Sequence, residues 1–210
     1  MSLDIIIVGL ATEKQWNTYS KPCIFSIQEK MPLANIIYIS NGGSSIETLQ
    51  GIKQVSISKK EKYSPVSYAE SINKGLEYSF GEYVIIINND VICKKSFEVD
   101  NRDILYGGSL HSKHKNIILP CPIIGGWLYA TTKKLINDIG KWDKKFKVAA
   151  YEDADYTIRA YKKGYKIKLS TLPFKHLNIH SRTSISNFER HRLDNRKYLM
   201  KKHDLEYKNA

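Results

Sequence analysis

Cysteine is scarce in this chain: Cys23, Cys93 and Cys121 are odd in number and far apart. That excludes a disulfide framework and a cysteine-based zinc site, and it points to a reduced compartment. Long apolar runs are missing as well. No stretch approaches the roughly 20 residues needed to cross a bilayer. The opening "MSLDIIIVGL" carries neither a basic leader nor an apolar segment of secretory length. A cytoplasmic protein is expected, with peripheral membrane contact as an open alternative. Acidic residues are the third shortage, 21 against 33 lysines and arginines, for a formal net charge of +12. Such an excess favours partners that carry phosphate or other anions. Also absent is a glycine-rich phosphate loop after the first apolar run, where "GLATEKQW" stands. A nucleotidyltransferase therefore ranks last among the enzymes considered. With no repeat, low-complexity tract or linker, the 210 residues read as one domain, 1–210.

What is present is a grammar of buried strands and amphipathic helices. "DIIIVGL", "NIIYIS" and "YVIIINND" are apolar without alternation, as strands covered on both faces require. A helix follows the first, with Trp16, Cys23, Ile24 and Ile27 on one face. "IKQVSIS" is a polar-alternating strand. "SPVSYAESINKGLEYSFGEY" predicts a helix capped by Ser64, with Pro65 in its first turn and Gly81 at its end. Short strands are expected around Leu105 and Trp127. "TTKKLINDIG" starts a helix at Thr131 or Thr132 and stops it at Gly140, and "YEDADYTIRAYKKGYKIKL" gives another, stopped by Gly164 and followed by a strand. A basic helix closes the chain at about 185–206, with Leu193, Leu199 and Met200 as its inward residues. The expected class is α/β, a central mostly parallel sheet flanked by helices.

In such sheets ligands gather beyond the carboxyl ends of the strands. Asn88, Asn89 and Asp90 lie at one such end. A hairpin turn is the bland explanation for them, but a half-exposed hairpin strand should alternate, and "VIII" does not. Glu152, Asp153 and Asp155 cluster at a helix start, where the dipole stabilises anions, and Asp155 can pair with Arg159 one turn on. A carboxylate there is expected to stay ionised and to suit a general base. His176 and His180, evenly spaced, would share one face of an extended segment. One strand-end carboxylate and one imidazole form a partial sphere for a divalent metal that also takes phosphate oxygens.

Taken in order, these stretches resemble the GT-A fold glycosyltransferases of the large family 2 type. "IIYISNGG" is similar to the family's second strand and its Asp-Asn-Gly-Ser loop. "SINKGLEYSFGEYVIIINNDV" resembles the Asn-x-Gly helix running into the Asp-x-Asp strand. "GGWLYATTKKLINDIGKWDKKF" and "YEDADYTIRAYKKGYKI" look like the Gly-Gly-Phe-Asp and Glu-Asp-x-Asp signatures, and "HSRTS" like the closing His…Ser loop. The resemblance implies a metal-dependent, Rossmann-like enzyme that moves a sugar from a nucleotide diphosphate donor to an acceptor hydroxyl with inversion. It implies Mn²⁺ or Mg²⁺ held by Asp90 and His180, and Asp153 as base beside Glu152. It also implies donor contacts from Ser40, Asn41, Asn73, Lys74, Asn88 and Asn89, and a sugar pocket bordered by Gly126 and Trp127. The acceptor it leaves open: a glycan, a lipid-linked saccharide or another polyanion. Two positions depart from the pattern. Ser40 stands where the family has an acid, and Asn88-Asn89-Asp90 lacks the leading acid, leaving one carboxylate for the ion. The competing reading is a basic nucleic-acid or acidic-polymer binding protein on an α/β scaffold.

Overall fold

The three apolar runs and the alternating one line up side by side. β1 (Leu3–Leu10), β2 (Asn35–Asn41), β3 (Ile52–Ile57) and β4 (Tyr83–Asn88) are parallel, with β1 paired to both β2 and β4. β6 (Ile104–Gly107), β9 (Leu128–Thr132) and β10 (Lys166–Leu169) extend the sheet, whose order is β10-β6-β9-β4-β1-β2-β3. β9 alone runs against its neighbours β4 and β6. The computed structural model describes residues 1–10, 12–42, 47–58, 66–99, 102–112, 117–178 and 187–207.

The unalternated runs are explained by two covered faces. Ile6, Val8, Ile37, Ile39, Val84 and Ile86 point to one side, under α3 (Tyr68–Glu77), α4 (Lys133–Ile139) and α5 (Glu152–Lys162). Ile5, Ile7, Tyr38, Ile85 and Ile87 point to the other. There they meet a helical stretch of α1 (Glu13–Gln15), a π-helical turn Trp16–Ser20 and α2 (Lys21–Lys30), through the expected Trp16, Cys23, Ile24 and Ile27. The three cysteines are free and buried. Thr132 caps α4 and Gly140 ends it at φ 88°. The cap of α3 is Ser67, not Ser64, which lies outside the described residues. Ser67 Oγ accepts from the Glu70 N–H and the Glu70 carboxylate accepts from the Ser67 N–H, a reciprocal capping box.

β5 (Val91–Cys93) does not fold back on β4. It leaves the sheet and pairs antiparallel with β11 (Phe174–His176), so the hairpin explanation of the Asn-Asn-Asp turn fails. A third ladder joins β7 (Leu110–His111) to β8 (Ile123–Ile124). α6 (Phe188–His203) closes a separate cluster of Phe146, Tyr151, Ala154, Ile158 and Leu199. Its buried stripe is Asn195, Leu199 and His203. Leu199 is inward as expected and Met200 packs at the margin. Leu193 is 47% exposed, because it lies off that i, i+4, i+8 line. Among the described residues, no helix is long and apolar enough to cross a membrane.

Candidate active site

β1 separates β2 from β4, so the sheet reverses its winding at the β1–β4 pair and opens a crevice beyond their carboxyl ends. The three polar residues of the β4 tip divide their tasks there. Asn89 turns into the protein: its N–H reaches the Val8 carbonyl at 3.1 Å, and its amide donates to Ser20 Oγ at 2.9 Å. Ser20 in turn meets the Tyr38 hydroxyl at 2.9 Å. Asn88 Oδ1 accepts from the Tyr68 hydroxyl at 2.7 Å. Asp90, 5% exposed, lies 3.2 Å from His176 Nε2. The β5–β11 ladder makes that meeting, since His176 pairs with Val91 and the Leu177 N–H reaches the Asp90 carbonyl at 2.9 Å.

Facing this tip is the start of α5. An alanine Cβ at Gly126 would lie 3.3 Å from Asp153 Oδ2, so the missing side chain lets the carboxylate approach the strand-end backbone. Tyr68 joins the two sides. Its hydroxyl also points to the Gly126 carbonyl oxygen at 3.1 Å. Burial, then the charges of Glu152, Asp90 and Asp153, push that phenol well above its usual range. Through these two hydrogen bonds the half-buried Tyr68 links Asn88, beside Asp90, to Gly126, against which Asp153 lies. Sequence reasoning missed Tyr68, although its place as first residue of a capped helix was a usable signal.

Burial acts on both members of the acidic pair. Burial and the neighbouring Asp153 charge push Glu152 well above the ordinary carboxylate range, and its Oε2 has no hydrogen-bond partner among the described residues. Burial also raises Asp153, while the N–H groups of Ala154 (2.8 Å) and Gly126 and the nearby His111 pull the other way. Desolvation thus outweighs the helix dipole. His111 lies next to this group, with its Nε2 3.2 Å from Ser109 Oγ and beside Gly125.

The other residues expected at the donor have the following surroundings. The Asn41 amide clamps both backbone groups of Val66, at 3.0 and 2.9 Å. The Asn73 amide does the same to Trp142, at 2.8 and 2.9 Å, and orders the loop after α4. Lys74 reaches Glu77 at 2.7 Å and lies over the Tyr78 ring. Ser40 is buried at the β2 end, its hydroxyl without a partner among the described residues. Trp127 stacks flat on the His176 ring, 4.8 Å between centroids, and fills the space over Gly108. It buttresses the imidazole with the face expected to meet a sugar. His180 lies outside the described residues.

The donor chemistry at the β4 tip fits a divalent ion. A carboxylate oxygen and an imidazole nitrogen suit a borderline cation such as Mn²⁺ and leave most positions for phosphate oxygens and water. Among the described residues no group of three or more His, Cys, Asp or Glu converges, so the protein's own sphere there is partial.

Asp155 faces away from the crevice and ties α5 down. It meets Arg159 Nε at 3.0 Å, His203 Nε2 at 2.8 Å and Lys202 Nζ at 2.7 Å. Burial works to raise its pKa, but the His203 hydrogen bond and the Arg159 and Lys202 charges outweigh it and hold the carboxyl low. Stability from a depressed carboxyl is fully present above its unfolded value, about 3.9, and disappears as pH falls through the folded value. Asp155→Asn is therefore expected to cost about 1–3 kcal/mol in urea unfolding at pH 7, where it weakens the hydrogen bond to buried His203 and the ion pairs to the part-exposed Arg159 and Lys202. The gap to wild type should narrow as the pH drops below about 4.

No protein-family model matches the chain, and no curated protein matches it by sequence. Solved structures do. GalNAc-T7 with UDP, GalNAc and Mn²⁺ superposes with a TM-score of 0.62 at 12% identity, over 95% of this chain and 50% of that one. The mannosyltransferase PcManGT of Pyrobaculum calidifontis, with GDP-Man and Mn²⁺, gives 0.57 at 13% identity over 80% and 54%. A Drosophila β-1,4-galactosyltransferase 7 variant with manganese, UDP-Gal and xylobiose gives 0.57 at 11% identity over 91% and 80%. The chain thus spans about half the length of the first two. At these identities the likeness is one of architecture: the chain has the GT-A glycosyltransferase fold.

Proposed function

We propose that the protein is a metal-dependent glycosyltransferase of the family 2 type, moving a sugar from a nucleotide diphosphate donor to an acceptor hydroxyl with inversion. The observation that carries this reading is the crevice itself: Asp90 beside His176 on one wall, Asp153 against Gly126 on the other, and Tyr68 between them. The three structural neighbours were each solved with manganese and a nucleotide or nucleotide sugar, which supports glycosyl transfer over the binding-protein alternative.

Each residue then has a task. Asp90, with His176 or His180, holds the cation. When bound, that cation stabilises the leaving diphosphate as a Lewis acid. Trp127 and the β5–β11 ladder fix the imidazole opposite Asp90. Asp153 accepts the acceptor hydroxyl proton as the new C–O bond forms and the C–O bond to the diphosphate breaks. Glu152 beside it holds its proton more tightly than an ordinary carboxyl, because burial and the Asp153 charge oppose its ionisation. Asn88 and Gly126, linked through Tyr68, set the width of the crevice.

A panel of nucleotide diphosphate sugars, with and without Mn²⁺, tests the reading by thermal shift. One donor at about 100 times its Kd adds about 2.7 kcal/mol. In a chain of this length that is about 5–10 °C in Tm. A flat response across all donors, with and without Mn²⁺, would sink the assignment.

The acceptor reading rests on charge. Lys144, Lys145 and Lys147, in the loop before α5, are exposed, and so are Arg190, Lys197 and Lys201 on α6. Lys145 lies over the α6 Tyr198 ring, which makes the two groups one surface. Arg196, by contrast, packs over Tyr207. This surface fits an anionic acceptor, a lipid-linked saccharide phosphate included, handled at the cytoplasmic side of a membrane. The double reversal Lys197→Glu with Lys201→Glu is expected to cut transfer to an anionic acceptor about 3–10-fold at low salt, and to leave a neutral one unaffected. Equal rates on both would remove the anionic acceptor from the picture.

A further inference from the structure

We propose that Asn195, on α6, is a positioning residue for Glu152 and Asp153, holding the segment 147–151 in the backbone course that starts α5 at this pair and sets Asp153 against Gly126. This rests on the reading of that pair as the place where the acceptor proton is taken.

The segment is conformationally costly. Val148 (φ 63°), Ala150 (φ 84°) and Tyr151 (φ 72°) all lie in the left-handed region, three of four consecutive residues and none of them glycine. A β-branched residue is rare there. Such backbone persists only where its surroundings over-determine it, and it concentrates at functional sites. α5 begins at Glu152 with Tyr151 as its N-cap and no side-chain cap bond, so the course of residues 147–151 sets where Asp153 points.

Asn195 supplies most of the restraint. It is 2% exposed, and its Oδ1 accepts from the Lys147 N–H at 3.0 Å. Its amide nitrogen faces the carbonyls of Lys147 (2.9 Å), Ala150 (3.0 Å) and Ala149 (3.3 Å). The Tyr68 N–H holds the Val148 carbonyl at 2.7 Å, and the Asp155 N–H holds that of Tyr151 at 3.0 Å. Docking of the helix does not explain an asparagine here. Position 195 lies on the buried stripe with Leu199 and His203, where an apolar residue would pack without the desolvation cost of an amide. α6 is already anchored by Leu199 and by the His203 and Lys202 contacts to Asp155. Only a demand for backbone hydrogen bonds selects asparagine. Asn195 acts through the loop and does not touch Asp153.

Two variants test this. Asn195→Ala removes the side chain, and Asn195→Leu keeps apolar docking of α6 but no hydrogen bond, so it carries the test if the alanine variant folds poorly. Amide exchange across residues 147–151 is expected to accelerate about tenfold or more, with β1 and β4 unchanged. In the same proteins kcat should fall about 100-fold while the donor KM stays within about threefold, the mark of misplacement rather than lost binding. Unchanged exchange in the segment with kcat intact overturns the proposal. So does exchange that rises equally in α6, β1 and β4, since the residue is then structural. If the wild-type chain transfers no sugar, the reading of the acidic pair falls, while the exchange result still decides the clamp.

Discussion

Asp153→Asn is expected to lower sugar transfer by about 10²–10⁴-fold, the range of a lost general base. The amide keeps the size of the carboxylate and leaves the Asp90 wall untouched, so donor-induced thermal stabilisation should survive. The pH dependence has a definite sign. Burial raises the pKa of Asp153, so the carboxyl is protonated and inactive at acid pH. Wild-type kcat should climb as pH passes through that raised value and then level off. The variant should show no such limb. Glu152, displaced further upward, keeps its proton longer, so Glu152→Gln is expected to be the milder lesion. Full transfer by Asp153→Asn, or a loss confined to Glu152→Gln, would move the base to another group.

The second large effect belongs to the opposite wall. Asp90→Ala is expected to abolish the part of the donor-induced Tm increase that depends on Mn²⁺, about 5–10 °C under saturating conditions. His176 keeps its stack on Trp127 in this variant. His176→Ala should weaken the metal-dependent shift while leaving some of it, because removing one of two protein ligands leaves the carboxylate in place. If Asp90→Ala binds donor and manganese as tightly as wild type, the β4 tip is not the cation site.

The sheet was readable because burial on both faces leaves a signature within each run. Ile85 and Ile86 serve opposite layers, so neither can be polar, and β1, β2 and β4 follow from that alone. Helix ends with a local cause were readable too, as at Thr132 and Gly140. The Ser67–Glu70 capping box was also written in the sequence, as Ser-x-x-Glu, but Ser64-Pro65 offered a competing start. The site was less legible because it depends on non-local pairing. Nothing near His176 announces Asp90; the antiparallel register of β5 with β11 brings them together, and residue spacing had favoured His180 instead. The family resemblance assigned Asn41, Asn73 and Asn89 to the donor. In the fold their amides hold Val66, Trp142 and Ser20. The upward pull of burial on the Glu152 and Asp153 carboxyls was not legible, because the helix dipole can be read from sequence and desolvation cannot.

The exposed margin of the sheet at β10 bears on behaviour at high concentration. Lys166 and Lys168 both stand exposed on this outermost strand. If two copies tried to zip together along it, ammonium groups would crowd across the new ladder, and like charges placed opposite one another oppose such pairing. Self-association through this border should stay weak near neutral pH and strengthen when salt screens the lysines or acetylation removes their charge.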